Sequence, residues 1–289
     1  MTPVRFTLPV VALSVLALVA GVLVGLSPTS AALPACEKAS APFAIGTTTL
    51  VVKSRGASLQ TTVAYPATSA GEGATPVCRK SPLVVAGHGS LGDGASAARL
   101  HGYLVERGYV VAAPSLASAT FDVDGFAEDI SATISAVVAE SRSAQGDLSG
   151  LVRRKKVGYI GTSMGAIIGL TLADRGHRDK RIVAIVAKAG RAFGSLDGRN
   201  GPAVLMINGD ADTTVRYDDA RDAYGDLAKP KGLIRLFGVG HDLNTAGDPI
   251  LTTSSSLFLD HYLRGRAKAL TRLEQGASAS EIAQLRRRW

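Results

Sequence analysis

The sequence predicts an α/β fold: a mostly parallel sheet opened by an antiparallel hairpin, with helices on both faces and no cap domain. Three observations lead there. Continuous apolar runs, Leu83-Val84-Val85-Ala86, Ile182-Val183-Ala184-Ile185-Val186-Ala187 and Ala203-Val204-Leu205-Met206-Ile207, read as strands covered on both faces. Helix-like stretches alternate with such strands, as in parallel βα units. Two strand-like segments joined by Arg55-Gly56-Ala57 come first and read as a hairpin. At 289 residues, 46% hydrophobic and 19% charged, the chain suffices for one large domain with a full core.

Residues 1–32 read as a secretion signal. Arg5 supplies the charged start, Leu8 to Leu26 is almost wholly apolar, and Ser27-Pro28-Thr29-Ser30-Ala31-Ala32 offers small residues for cleavage after Ala31 or Ala32. The same apolar run is long enough to stay as a membrane anchor. Leu33-Pro34-Ala35-Cys36 also has the look of a lipoprotein box, which would make Cys36 a lipidation site. Residues 33–43 read as a linker. In an oxidising compartment Cys36 and Cys78, the only cysteines, are expected to form one disulfide.

The folded domain is expected over residues 44–266. Gly46 to Val52 and Leu59 to Tyr65 form the hairpin, with Leu59, Thr61, Val63 and Tyr65 on one face. Residues 66–82 are a Gly/Pro/Ser-rich loop before the strand at Leu83. A helix from Ala97 stops at Gly108, a strand from Tyr109 to Ala113 stops at Pro114, and a helix follows from Phe126 to Ser141. Val157 to Ile160 is a strand and Ala166 to Ala173 a buried helix. After the next two strands comes a last one at Leu233 to Phe237, then a helix from Leu251 to Leu263. Between Ala187 and Ala203 lie only about 15 residues, too few for a cap, so the site should be open. Residues 267–289 read as a basic tail.

The net charge of +8 is scattered. Only Arg153-Arg154-Lys155-Lys156, read as a solvated loop, and Arg286-Arg287-Arg288 form runs. Aromatics at 5% argue against a surface for stacking bases or sugars. Nucleic acid is therefore not an expected partner, and weak attraction to an anionic membrane or cell-wall surface remains. The default state is a monomer. No CxxC or His/Cys cluster suggests a metal, and Phe121-Asp122-Val123-Asp124-Gly125 lacks the ligand series of a calcium loop.

The chemistry is carried by Gly161-Thr162-Ser163-Met164-Gly165. The pentapeptide alone is weak, but it joins a strand to a helix, where a serine on a tight turn needs glycines around it. A serine nucleophile needs a base for its proton and an acid to orient that base. Asp212, in Gly209-Asp210-Ala211-Asp212, and His241, after Gly240, follow in chain order, each leaving a strand end. Asp210 is the alternative acid. His101, His177 and His261 lie in or near helices and read as packing or surface residues. For a developing oxyanion, the backbone N–H groups of Met164 and of Ser90, in Gly87-His88-Gly89-Ser90, are the expected donors, with His88 shaping that loop.

These pieces, with Val63-Ala64-Tyr65-Pro66 and Gly108-Tyr109-Val110-Val111-Ala112-Ala113-Pro114, resemble the α/β-hydrolase superfamily over residues 45–265. Within it they are similar to the dienelactone-hydrolase-like and platelet-activating-factor-acetylhydrolase-like group, and to secreted bacterial lipases and polyester hydrolases. The resemblance implies an α/β-hydrolase fold and a secreted esterase or lipase with the triad Ser163, Asp212 and His241. It implies no cofactor, and a small-molecule or lipid-like ester as substrate. Two departures stand out. Dienelactone hydrolases proper use cysteine where this chain has Ser163, and Pro114 is followed by Ser115-Leu116-Ala117-Ser118 rather than a D-x-x-G turn. A peptidase, thioesterase or acyltransferase could use the same triad. A non-catalytic binding module is the alternative from another class.

Overall fold

The computed structural model describes residues 36–117, 121–243 and 249–289. The expected signal segment, and its alternative as an anchor, lie outside the described residues. Among the described residues no helix is long and apolar enough to cross a membrane.

Ala44–Ser54 (β1) and Ala57–Ala67 (β2) pair antiparallel around Arg55-Gly56, which turn with φ of 47° and 77°. Gly71–Glu72 (β3) adds beside β1. The centre is parallel: Ser81–Gly87 (β4), Val110–Pro114 (β5), Val152–Thr162 (β6), Ile182–Lys188 (β7), Ala203–Gly209 (β8) and Lys231–Leu236 (β9). Ala283–Arg288 (β10) closes one side, antiparallel to β9, and β2 pairs antiparallel with β5. The ten strands run in the order β10-β9-β8-β7-β6-β4-β5-β2-β1-β3.

Helices cover both faces, as continuous apolar strands require. Val123–Glu140 (α3), Met164–Ala173 (α4) and Tyr217–Asp226 (α5) bury Ile130, Ile134, Ile168, Leu172 and Ala220 against Leu83, Val85, Tyr159, Ile185 and Met206. Gly94–Leu100 (α1), Gly102–Glu106 (α2), Ile250–Arg264 (α6) and Ala269–Ala279 (α7) bury Ala97, Leu104, Phe258 and Leu273 against Val84, Ile160, Val186, Leu205 and Ile234. Neighbouring residues of one strand thus go to opposite layers. The chain leaves β4 for β5 on one side and returns to β6 on the other. This reversal of strand order opens a crevice at the carboxyl ends of β4 and β6.

Several expectations need correcting. Residues 267–289 are not a tail: they form α7 and β10, and Leu270, Leu273 and Ala277 are buried. β9 is therefore not the last strand. Its outer edge would be unpaired without β10, which shows its arginines to water and joins Glu274 through Arg287 at 2.6 Å. Arg153 to Lys156 belong to the amino end of β6 rather than a loop, although all four are exposed. The helix expected over 97–108 is broken at His101, whose buried ring turns inward. In the expected linker, residues 36–43 lie on the domain: Glu37 bridges to Val77, and Phe43 is buried. Cys36 and Cys78 form the expected disulfide, which leaves Cys36 no thiol to lipidate.

Candidate active site

β6 delivers Ser163 to the crevice. Ser163 has φ of 56°, a region that costs a non-glycine residue energy, and α4 begins at the next residue. The turn is possible only because its flanks lack side chains. A Cβ on Gly161 would lie 2.2 Å from the Gly165 carbonyl oxygen, and one on Gly165 would lie 2.2 Å from that of Gly87. Three bonds brace the turn. Ser163 N–H donates to Lys188 O on β7 at 2.9 Å, Ile167 N–H donates to Ser163 O at 3.0 Å, and the buried Tyr159 hydroxyl donates to Gly165 O at 2.6 Å. Burial pushes the Tyr159 phenol well above its ordinary range, so it stays a donor.

The loops after β8 and β9 bring the other two residues. His241 Nε2 lies 2.9 Å from Ser163 Oγ, and His241 Nδ1 lies 2.8 Å from Asp212 Oδ2. The Asp212 carboxylate is wholly buried, while the imidazole is 30% exposed and so reachable from the crevice. Asp212 Oδ1 accepts from the N–H groups of Thr214 and Val215, both at 2.8 Å. Its two oxygens therefore have separate duties, one to the backbone and one to the ring. Asp210 faces elsewhere: it pairs with Arg235 at 2.9 Å and accepts from Gly238 N–H at 2.7 Å. It ties the two loops together and leaves the imidazole to Asp212.

The third loop follows β4. A Cβ on Gly89 would lie 3.7 Å from Ser163 Cβ, so this backbone passes beside the serine. His88, buried, fixes it: Nδ1 meets Gly89 O at 2.7 Å and Nε2 accepts from Leu116 N–H at 2.9 Å. Those partners require the Nδ1–H tautomer. Ser115 Oγ accepts from Gly94 N–H at 3.0 Å, so the departure after Pro114 serves to hold the start of α1. Ser118 lies outside the described residues. Ser90 comes next after Gly89, and Met164 is the first residue of α4, where N–H groups have no intrahelical acceptor. Among the described residues neither amide has a hydrogen-bond partner.

One neighbouring feature lay beyond the sequence reading. Lys188 is buried and its Nζ lies 3.1 Å from His101 Nε2, whose Nδ1 in turn meets Ala97 O at 2.9 Å. Burial pushes the Lys188 ammonium down to about 8 and holds His101 well below its ordinary range, helped by the Lys188 charge. The only signal was a lysine ending an apolar strand, with nothing local to name its partner. Elsewhere, Asp122 caps α3 and binds Arg55. Among the described residues no group of acidic, His or Cys side chains could hold a metal.

The arrangement can transfer a proton from a serine hydroxyl to an imidazole steadied by a buried carboxylate. Residues 189–202, which connect β7 to β8, contain no helix or strand, so no cap domain is inserted at that connection. No protein-family model matches the chain, and no curated protein is significantly similar to it.

Proposed function

We propose that the chain is a secreted serine hydrolase of the α/β-hydrolase fold that cleaves carboxylic esters. The observation that carries this reading is the hydrogen-bonded chain from Ser163 Oγ through His241 to the buried Asp212, at 2.9 and 2.8 Å. Surface serines and histidines have no need of such an arrangement, nor of a nucleophile held at φ of 56°. The reversal of strand order at β4, with the antiparallel hairpin to one side, supports the fold assignment.

In this mechanism Ser163 Oγ attacks the ester carbonyl as His241 Nε2 takes its proton. The tetrahedral oxyanion is held by the N–H groups of Met164 and Ser90, and the imidazolium by Asp212. Collapse breaks the bond to the alcohol, which leaves with the proton from His241. Water then gives a proton to His241 as it attacks the acyl carbonyl, and His241 passes that proton to Ser163 Oγ as the acyl–oxygen bond breaks and the acid leaves. The short β7–β8 connection carries no cap domain, which leaves room for bulky esters. The disulfide suits an oxidising compartment.

The test is hydrolysis of p-nitrophenyl esters, from acetate to palmitate, by the purified protein beside Ser163→Ala. The variant should be slower by about a thousandfold or more. The chain-length profile then separates esterase from lipase. Equal rates in both proteins, or none with any ester, would overturn the reading.

A further inference from the structure

The amino end of β6 departs from its ladder. Pro82 and Leu83 are adjacent on β4, yet their partners on β6 are Arg153 and Val157. Arg154, Lys155 and Lys156 have no opposite number there and bulge outward. Arg153 to Lys156 are exposed, as is Lys80 just before β4, and Arg153 Nε donates to Lys80 O at 3.0 Å. These five cations line a groove of about 490 Å³, completed by Val152, Leu263, Arg264 and Gly265. Among the described residues none of the five is ion-paired with a carboxylate, whereas Arg264 is held by Asp260 at 3.1 Å. Like charges side by side repel, so the array is relieved by an anion.

Three features narrow the partner. Among the described residues no aromatic side chain lines the groove, so they offer nothing on which to stack a base or sugar. The exposed large hydrophobic residues, such as Leu91, Phe121 and Phe193, lie elsewhere, so nothing here inserts into a bilayer. Four of the cations, Arg153 to Lys156, follow one another along β6, a linear array that suits a chain. We propose that this groove binds an extended phosphate-bearing polyanion, read by charge alone. Ser163 lies seven residues beyond Lys156, about 23 Å along the strand, at its other end. A polymer bound here therefore leaves the crevice free, and the proposal stands apart from the hydrolase reading.

The experiment measures binding of labelled inorganic polyphosphate between about 50 and 200 mM salt. Replacing Arg154, Lys155 and Lys156 together by Gln should weaken binding about tenfold or more. It should also reduce the slope of log affinity against log salt by about 2. Lys80→Gln, outside the strand, should weaken it about threefold. Neither change should alter ester hydrolysis. Gln at Arg99, Arg199 and Arg221 removes the same charge elsewhere and should leave affinity within about twofold. An equal loss in that control would overturn the site in favour of net charge. Binding to phosphatidylglycerol vesicles but not to polyphosphate, or to neither, would overturn it as well.

Discussion

Asp212 directs one oxygen to two backbone amides and the other to His241, and this division makes Asp212→Asn informative. If the amide oxygen keeps the backbone bonds, its NH₂ faces Nδ1. The ring must then carry its proton on Nε2 and cannot accept one from Ser163. Ester hydrolysis should fall by about 10³–10⁴-fold in kcat while the unfolding midpoint stays near that of the parent. A loss below tenfold would place the orienting carboxylate elsewhere. Lys188 gives a prediction for stability. Its ammonium, about 8 in the fold against 10.5 when solvated, leaves the folded state with fewer protons than the unfolded chain between those values. Stability therefore rises with pH across that window, and Lys188→Met removes the rise. Relative to the parent, the variant should be more favoured at pH 7 than at pH 10.5 by roughly 3 kcal/mol in urea unfolding. A difference that does not change with pH would show that Lys188 is not desolvated. The two cases also differ in legibility. Ser163, Asp212 and His241 are marked by their immediate neighbours, glycines and strand ends. The contact of Lys188 with His101 joins residues far apart in the chain, and no local pattern encodes it.

The turn between β6 and α4 shows how an element depends on the absence of atoms. Gly165→Ala would drive a methyl group into the Gly87 carbonyl, and both partners are backbone held in the sheet and the helix. Nothing there can move cheaply. The variant should lose ester hydrolysis by at least about a hundredfold and lower the unfolding midpoint, because overpacking costs about 1–3 kcal/mol. Hydrolysis within a few-fold of the parent would mean the turn is looser than its contacts indicate. At the other side of the sheet, Gly232 is bare because Trp289 lies over it: a Cβ would come within 2.6 Å of the indole. Trp289→Ala should therefore destabilise by about 2 kcal/mol in urea unfolding, and hydrolysis should persist. The central strands were readable because they are continuously apolar. α7 and β10 were not, because half-covered edge elements carry the arginines and polar residues that also mark a tail. α5 escaped for a related reason: Tyr217 to Asp226 is rich in acidic residues, and few of its side chains are buried. The basic run of β6 has the pattern of a loop because a bulge leaves those residues solvated even inside a strand.

Across the whole molecule, the two ends of the parallel sheet have different work. The carboxyl ends carry the serine, the imidazole and the loops that hold them. The amino ends carry the basic groove and, just before β4, the disulfide. Cys36–Cys78 closes a loop of 42 residues' separation and fastens the segment that leads to β1. In the unfolded chain that closure removes conformational freedom worth about 4 kcal/mol. In the folded chain the segment is also held by the buried Phe43 ring and by Phe43 N–H to Glu106 O at 3.0 Å, so the native contacts persist without the bond. Cys36→Ser with Cys78→Ser should therefore lower the urea midpoint by the equivalent of about 2–4 kcal/mol and leave kcat/KM at 25 °C within about twofold. A midpoint unchanged by the double substitution would mean that Phe43 alone fixes the amino-terminal segment. A collapse of kcat/KM with the midpoint intact would instead couple the amino ends of the strands to the serine, against the separation of the two ends drawn from the sheet.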